Sequence, residues 1–289
     1  MRTAENWSDY ELIDASGGER LERFGNIILI RPDPQIIWHT KKEEKLWHNV
    51  HARYHRSSKG GGSWEIYKKI PDQWEINYKN LTFNIKTMGF KHTGIFPEQS
   101  VNWDFAAKKI QGENRPLNIL NLFGYTGCAT SACLKAGAAV CHVDASKGMV
   151  TWARENAVLN GLEKGHVRWI VDDCIKFVQK ERRRQNAYDG IIMDPPSYGR
   201  GPKGEIWKLE DQLFYLLEQC CDILSKDASF FILNSYTTGL SPSVMAYLLN
   251  SLIQKKRGGK VYADEIGLIV SQSGCTLPCG AAAIWDARG

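Results

Sequence analysis

From about residue 115 onward the chain alternates short apolar runs with segments long enough for a helix, and no other feature restricts its fold as much. The runs are Asn118–Leu122, Ala139–Asp144, Val167–Val171, 190–194 and 229–233; helix-length segments lie near 127–136, 146–160, 174–185, 206–224 and 241–256. Such an order builds βαβ units, and so a parallel sheet with helices on both faces. Two more extended segments, 260–270 and 276–285, close the chain as an antiparallel hairpin about 271–274. The expected core is an α/β sheet of seven mostly parallel strands.

The first 85 or so residues read as short extended segments broken by turns. One strand is expected over 26–31, a turn at Asp33-Pro34 and a flexible loop over 57–63. Trp74–Tyr78 and Leu81–Ile85 alternate as half-buried strands around Lys79-Asn80. A total of 289 residues suits two domains. The division is set at 1–86, a small β-rich domain, and 87–289, the α/β domain.

Charge adds a second clue. The 37 Lys+Arg outnumber the 32 Asp+Glu only slightly, but Lys41, Lys42, Arg53, Arg56, Lys59, Lys68, Lys69 and Lys79 crowd one early stretch. Trp38, Trp47, Tyr54, Trp64 and Trp74 are interleaved with them. Cations that neutralise phosphates and rings that stack on bases are the ingredients of single-stranded nucleic-acid binding. The same residues also suit a small β-core with a solvated basic rim, and the stretch by itself leaves both readings open.

No apolar run approaches the ~18–20 residues of a membrane span, and the first ten residues lack the apolar stretch of a secretory signal. The 8 cysteines form no CxxC pair. A reduced, cytoplasmic chain is expected. His48, His51 and His55 are spaced as on one helical face, but no cysteine or carboxylate cluster completes a metal site, and none is expected.

In open α/β sheets ligands bind beyond the carboxyl ends of the strands. The first strand runs into Asn121-Leu122-Phe123-Gly124-Tyr125-Thr126-Gly127, where two glycines let backbone N–H groups approach a ligand at a helix start. It is neither a GxGxxG nor a Walker loop. The second strand ends in Asp144, placed either to accept both hydroxyls of a ribose or to cap the next helix. Asp173-Cys174 follows the third strand, where the carboxylate suits an adenine amino group or, again, a helix cap. Asp194-Pro195-Pro196-Ser197 follows the fourth, a rigid turn aiming Asp194 and nearby carbonyls at one point. Together, and in this order, these motifs point to a nucleoside cofactor.

The ordered set resembles that of the class I S-adenosylmethionine-dependent methyltransferases, which have a Rossmann-like fold. The nearer resemblance is to bacterial large-subunit ribosomal RNA methyltransferases of the RlmI and RlmK/L type. These share an Asn-Leu-Phe-x-Tyr-Thr-Gly loop and a segment like Lys91-His92-Thr93-Gly94-Ile95-Phe96-Pro97-Glu98-Gln99. The likeness runs from about residue 88 to 289. It implies S-adenosylmethionine as cofactor, held by Asn121, Phe123, Gly124, Tyr125, Thr126 and Gly127, with the ribose on Asp144 beside Ala145 and Ser146. Adenine falls to Asp173 and Cys174, while Thr93, Phe96 and Gln99 fold over the cofactor. Pro97-Glu98-Gln99 stands where relatives often carry Leu-Asp-Gln/His-Arg, so the arginine is missing. The resemblance also implies that Asp194, Pro195 and Pro196, with Ser197, face the methyl acceptor, and Tyr198, Arg200 and Lys203 are expected to touch the substrate, an RNA and in this family ribosomal RNA.

The acceptor atom is a chemical question. Methylation of a pyrimidine C5 needs a cysteine that adds to the ring, and the stretch after the fifth strand, Leu233-Asn234-Ser235-Tyr236, has none. Cys279 is the nearest alternative. Enzymes of exocyclic amines place Tyr or Phe directly after Asp/Asn-Pro-Pro; here Ser197 intervenes before Tyr198. A base nitrogen, with guanine ahead of adenine N6, is the expectation. The rivals are a 5-methylcytosine RNA enzyme, a DNA or protein methyltransferase, and a non-catalytic RNA-binding protein that keeps the fold.

Overall fold

The computed structural model describes residues 1–57 and 61–289. Of the loop expected over 57–63, residues 58–60, with Lys59, lie outside the described residues, and Gly62 already opens a strand. The chain separates into two compact units. One holds Thr3–Glu98 and Gly267–Pro278; the other holds Met1–Arg2, Gln99–Ile266 and Cys279–Gly289.

The early strands are β1 (Arg2–Ala4), β2 (Tyr10–Ser16), β3 (Glu19–Phe24) and β4 (Ile27–Pro32). A short α1 (Glu44–His48) precedes β5 (Ala52–Arg56), β6 (Gly62–Ile66) and the hairpin β7 (Trp74–Tyr78) and β8 (Leu81–Ile85). Strands β2 to β6 form a five-stranded sheet in sequence order, antiparallel except for β4 on β5. Leu21, Ile30, Trp47 and Val50 pack as one core. Beneath it Glu22, fully buried, takes Arg31 through both oxygens at 2.7 and 2.8 Å and the Tyr10 hydroxyl at 2.8 Å. A buried ion pair holds only when its lone pairs are filled in this way. The three early histidines do not share a helix face: His48 ends α1, His51 accepts from the Ile28 N–H, and His55 on β5 meets Glu65.

The second unit is built on α2 (Ser100–Gln111), β9 (Asn118–Leu122), α3 (Cys128–Lys135), β10 (Ala139–Asp144), α4 (Lys147–Leu159), β11 (Val167–Val171) and α5 (Cys174–Arg183). It continues through β12 (Gly190–Met193), the small hairpin β13 (Tyr198–Arg200) and β14 (Ile206–Lys208), α6 (Leu209–Asp222) and β15 (Phe230–Ser235). After α7 (Pro242–Leu249) the helix widens into a π-helical turn over Asn250–Gln254, and β16 (Lys260–Ile269) and β17 (Thr276–Asp286) complete the sheet. The strand order is β1-β16-β17-β15-β12-β9-β10-β11. The sheet thus has eight strands rather than the expected seven, because Arg2–Ala4 adds a short edge whose Arg2 pairs with Asp264 at 2.8 Å. The segment 206–224 is not helical throughout, since its first three residues pair with β13.

Side chains alternate across this sheet, so adjacent apolar residues serve opposite layers. Ile119, Val140, Ile192, Phe230 and Ile232 join Ala106 and Ile110 of α2 and Cys133 and Leu134 of α3. Leu120, Val143, Ile191, Met193 and Phe231 join Phe177 and Val178 of α5 and Leu213, Leu216 and Leu217 of α6. Strands β12 and β15 are buried at every position, as central parallel strands must be, and β11 at the edge is only half-buried. The chain steps outward from β9 to β10 and β11, then returns to β12 on the other side of β9. That reversal opens a crevice beyond the carboxyl ends of β9 and β12.

Candidate active site

Register brings the strand-end residues level. Leu122 of β9 lies opposite Val143 of β10 and Met193 of β12, and Met193 lies opposite Leu233 of β15. The next residue on each strand is Asp144, Phe123, Asp194 and Asn234, a row across four neighbouring strands. With strands ~4.8 Å apart, Asp144 and Asp194 stand roughly 10 Å from each other.

The loop after β9 is wound tightly. Phe123 and Tyr125 adopt left-handed backbone at φ 55° and 50°, as does Gly127 at φ 79°. Two non-glycine residues in that region cost about 1–3 kcal/mol each, strain that collects at ligand-binding turns. Gly127 caps α3, and a Cβ there would stand 2.7 Å from that of Ala153. Gly124 lies flat against His142, where a Cβ would meet the ring at 2.4 Å. The imidazole is fully buried; its Nδ1 and the Asn121 amide both meet the Thr130 hydroxyl at 2.9 Å. Burial pushes His142 down to about 3, so the ring is neutral.

Asp144 is the hinge of the cradle. One carboxylate oxygen accepts the Tyr125 N–H at 2.9 Å and the other the Ser146 N–H at 2.8 Å. Each oxygen retains a second lone pair, the arrangement a vicinal diol needs from its acceptor. Burial raises its pKa, against the pull of those two N–H groups. Asp144 does not cap α4: the Ser146 side chain does, accepting from Met149. Asp173 by contrast caps α5, through the Lys176 N–H at 2.9 Å. The buried Cys174 thiol accepts the backbone N–H of Phe123, which ties the first loop to the third.

The Asp-Pro-Pro turn is clamped by a residue that the sequence reading missed. Trp207, on β14, donates its indole N–H to the Pro196 carbonyl at 2.5 Å, and its ring lies 5.1 Å from that of Phe123. Ser197 meets Thr237 at 2.7 Å between hydroxyls, and its carbonyl accepts from Leu209. Asp194 is half-buried, Pro195 buried, and Tyr198 and Arg200 exposed on β13, with Lys203 in the turn to β14. Also missed was a buried amide chain. Gln99 donates to the Tyr236 hydroxyl at 2.9 Å, and Asn102 donates to Gln99 at 2.9 Å and to Asn234 at 2.8 Å. The structure thus gathers Asn121 to Gly127, Asp144 to Ser146, Asp173, Cys174, Asp194 to Ser197 and Gln99 on one unit. Thr93 and Phe96 belong to the other, where Thr93 is fully buried and Phe96 packs against His92. Among the described residues no group of His, Cys, Asp or Glu is placed to hold a metal ion.

A strained turn at a switch point, an acceptor carboxylate on the adjoining strand and a clamped Asp-Pro-Pro turn together suit a nucleoside cofactor and a planar acceptor. Residues 38–225 match the family of S-adenosylmethionine-dependent methyltransferases, and the chain belongs to that family. The fold is Rossmann-like, preceded by a β-rich region, and the family's cofactor is S-adenosylmethionine. The crystal structure of a SAM-dependent methyltransferase from Agrobacterium tumefaciens is 35% identical, with a TM-score of 0.95 over 99% of this chain and 93% of that one. SMU.776, a putative methyltransferase complexed with SAH, shares the fold at 19% identity and TM-score 0.73, over 97% of this chain and 76% of that one. Among curated proteins, the ribosomal RNA large subunit methyltransferase K/L of Pseudoalteromonas atlantica is 24% identical over 253 residues, 80% of this chain and 35% of that protein. Its counterpart in Colwellia psychrerythraea is 28% identical over 171 residues, 59% of this chain and 23% of that protein. The chain therefore spans about a quarter to a third of those curated relatives.

Proposed function

We propose that the chain transfers the methyl group of S-adenosylmethionine to a nitrogen of a base in RNA, ribosomal RNA before other RNAs. The observation that carries this reading is the level row Asp144, Phe123, Asp194 and Asn234. It supports the reading because two strand-end carboxylates, Asp144 and Asp194, stand on either side of the same loop, with an amide rather than a thiol on the next strand. The names of the curated relatives support the choice of RNA.

In this reading Asp144 holds the ribose, Asp173 and the Cys174 N–H receive the adenine, and the 121–127 loop wraps the remainder of the cofactor. When bound, the cofactor supplies an electrophilic sulfonium methyl. Asp194 and the carbonyls of its turn accept hydrogen bonds from the target N–H groups and align the lone pair; positioning supplies most of the rate. Tyr198, Arg200 and Lys203 guide the flipped base and its flanking phosphates. The site chemistry excludes water with Trp207 and Phe123 and uses no nucleophilic cysteine. No helix among the described residues is long and apolar enough to cross a membrane, and RNA methylation places the chain's work in the cytoplasm.

The test is transfer of tritiated methyl to separated RNA, DNA and protein from cells lacking the gene. Label in one ribosomal RNA species, absent with Asp194→Ala, supports the reading, and nucleoside analysis then names the atom. Label only in DNA or protein overturns the RNA substrate.

A further inference from the structure

The aromatic residues that the sequence offers for base stacking are mostly consumed by the fold. Trp47 and Tyr54 are buried, and the indole N–H groups of Trp38, Trp64 and Trp74 are spent on backbone carbonyls. Tyr67 is half in solvent, but its hydroxyl donates to Glu65, whose charge would repel a phosphate. Phe90 is different. The residue is 61% exposed, yet the backbone around it is pinned from three sides. Trp64 donates to the Met88 carbonyl at 2.8 Å, Tyr54 to that of Gly89 at 3.3 Å and Arg31 to that of Lys91 at 3.1 Å.

The surroundings are cationic. Arg20 and Arg31 are matched by Asp33 and Glu22, while Lys91 and Arg56 form no ion pair among the described residues. Glu98 is buried in the same unit, and burial raises its carboxyl pKa against the pull of Arg20 and Arg31. Burial pushes Lys91 down to about 8, against the pull of Asp33 and with Arg31, Arg20 and Arg56 close by. A flat ring held out on a pinned backbone, beside the side chains of Lys91 and Arg56, matches a base and its flanking phosphates.

Resting on the RNA reading above, we infer that Phe90 is a stacking platform for an unpaired RNA base, with Lys91 and Arg56 contacting the neighbouring phosphates.

The test uses the full chain and fluorescence anisotropy with a labelled single-stranded RNA and a duplex of the same composition. Phe90→Ala weakens single-strand binding by about tenfold and leaves duplex binding and the salt dependence unchanged. Phe90→Tyr restores it. Arg56→Ala instead lowers the slope of log affinity against log salt by about one. Affinity for S-adenosylhomocysteine and the circular dichroism spectrum, both unchanged, show that each variant is folded. Parental affinity in Phe90→Ala, or an equal loss for strand and duplex, overturns the platform while leaving RNA as substrate. A parent chain that binds S-adenosylhomocysteine but neither binds nor methylates RNA overturns the RNA reading itself.

Discussion

Trp207 and Pro196 are joined by a hydrogen bond of 2.5 Å from indole N–H to prolyl carbonyl, and with the Trp207 ring on Phe123 this bond ties the Asp-Pro-Pro turn to the 121–127 loop. Proline offers no N–H of its own, so its carbonyl is the handle by which the turn can be gripped. The grip comes from a three-residue strand, β14, and the same indole covers Phe123.

Replacing Trp207 separates these duties. Trp207→Phe keeps a ring on Phe123 and loses only the bond, costing about 1 kcal/mol of stability. Methyl transfer should fall severalfold while S-adenosylhomocysteine affinity holds. Trp207→Ala leaves a cavity, costs about 3–5 kcal/mol and weakens cofactor binding as well. Urea melts and calorimetric titration of both variants check this.

Asp144→Asn tests the cradle. The amide puts a donor where one oxygen accepted, against either the Tyr125 N–H or the ribose. S-adenosylhomocysteine affinity should fall roughly 10- to 150-fold, the ~1.5–3 kcal/mol of charge-assisted bonds. Parental affinity in this variant would show that the ribose lies elsewhere.

Acid should unfold the chain early. His142 is pushed down to about 3 and His92 to about 4, both by burial, from an ordinary 6.5. Below 6.5 the unfolded chain takes up protons that the folded chain refuses. Stability is therefore complete above that pH and lost as pH falls toward 4 and 3, by about 1.4 kcal/mol per pH unit for each ring. Urea midpoints between pH 7 and 4 give the slope. His142→Gln should lessen it.

Cys279 is 3% exposed within β17. Cys279→Ala should leave methyl transfer within about twofold of the parent, since only a ring-adding thiol is indispensable. Complete loss of transfer in a folded variant would revive C5 chemistry.

The central strands were legible because β12 and β15 are buried on both faces and so appear as unbroken apolar runs. The helix α2 was not. Trp103, Ala106 and Ile110 have helical spacing, but no side chain caps its start at Gln99 to announce it. Trp207 was absorbed into the following helix, because three residues are too few to display the alternation of a strand. At the site, the four strand-end motifs could be read in order, but not which oxygen meets which N–H. Asp144, Ser146 and Asp173 are alike as short-range acceptors, and only the backbone dihedrals decide that Ser146 and Asp173 cap while Asp144 does not.

The tip of the terminal hairpin belongs with the N-terminal unit: the N–H groups of Ser271 and Gln272 donate to the carbonyls of Leu12 and Ile13 on β2. During synthesis those carbonyls emerge first and must wait for partners made more than 250 residues later. The N-terminal unit thus cannot complete its strand pairing until the tip of the terminal hairpin has been made. Over that interval β2 presents an unpaired edge, open to the neighbouring chains of a polysome.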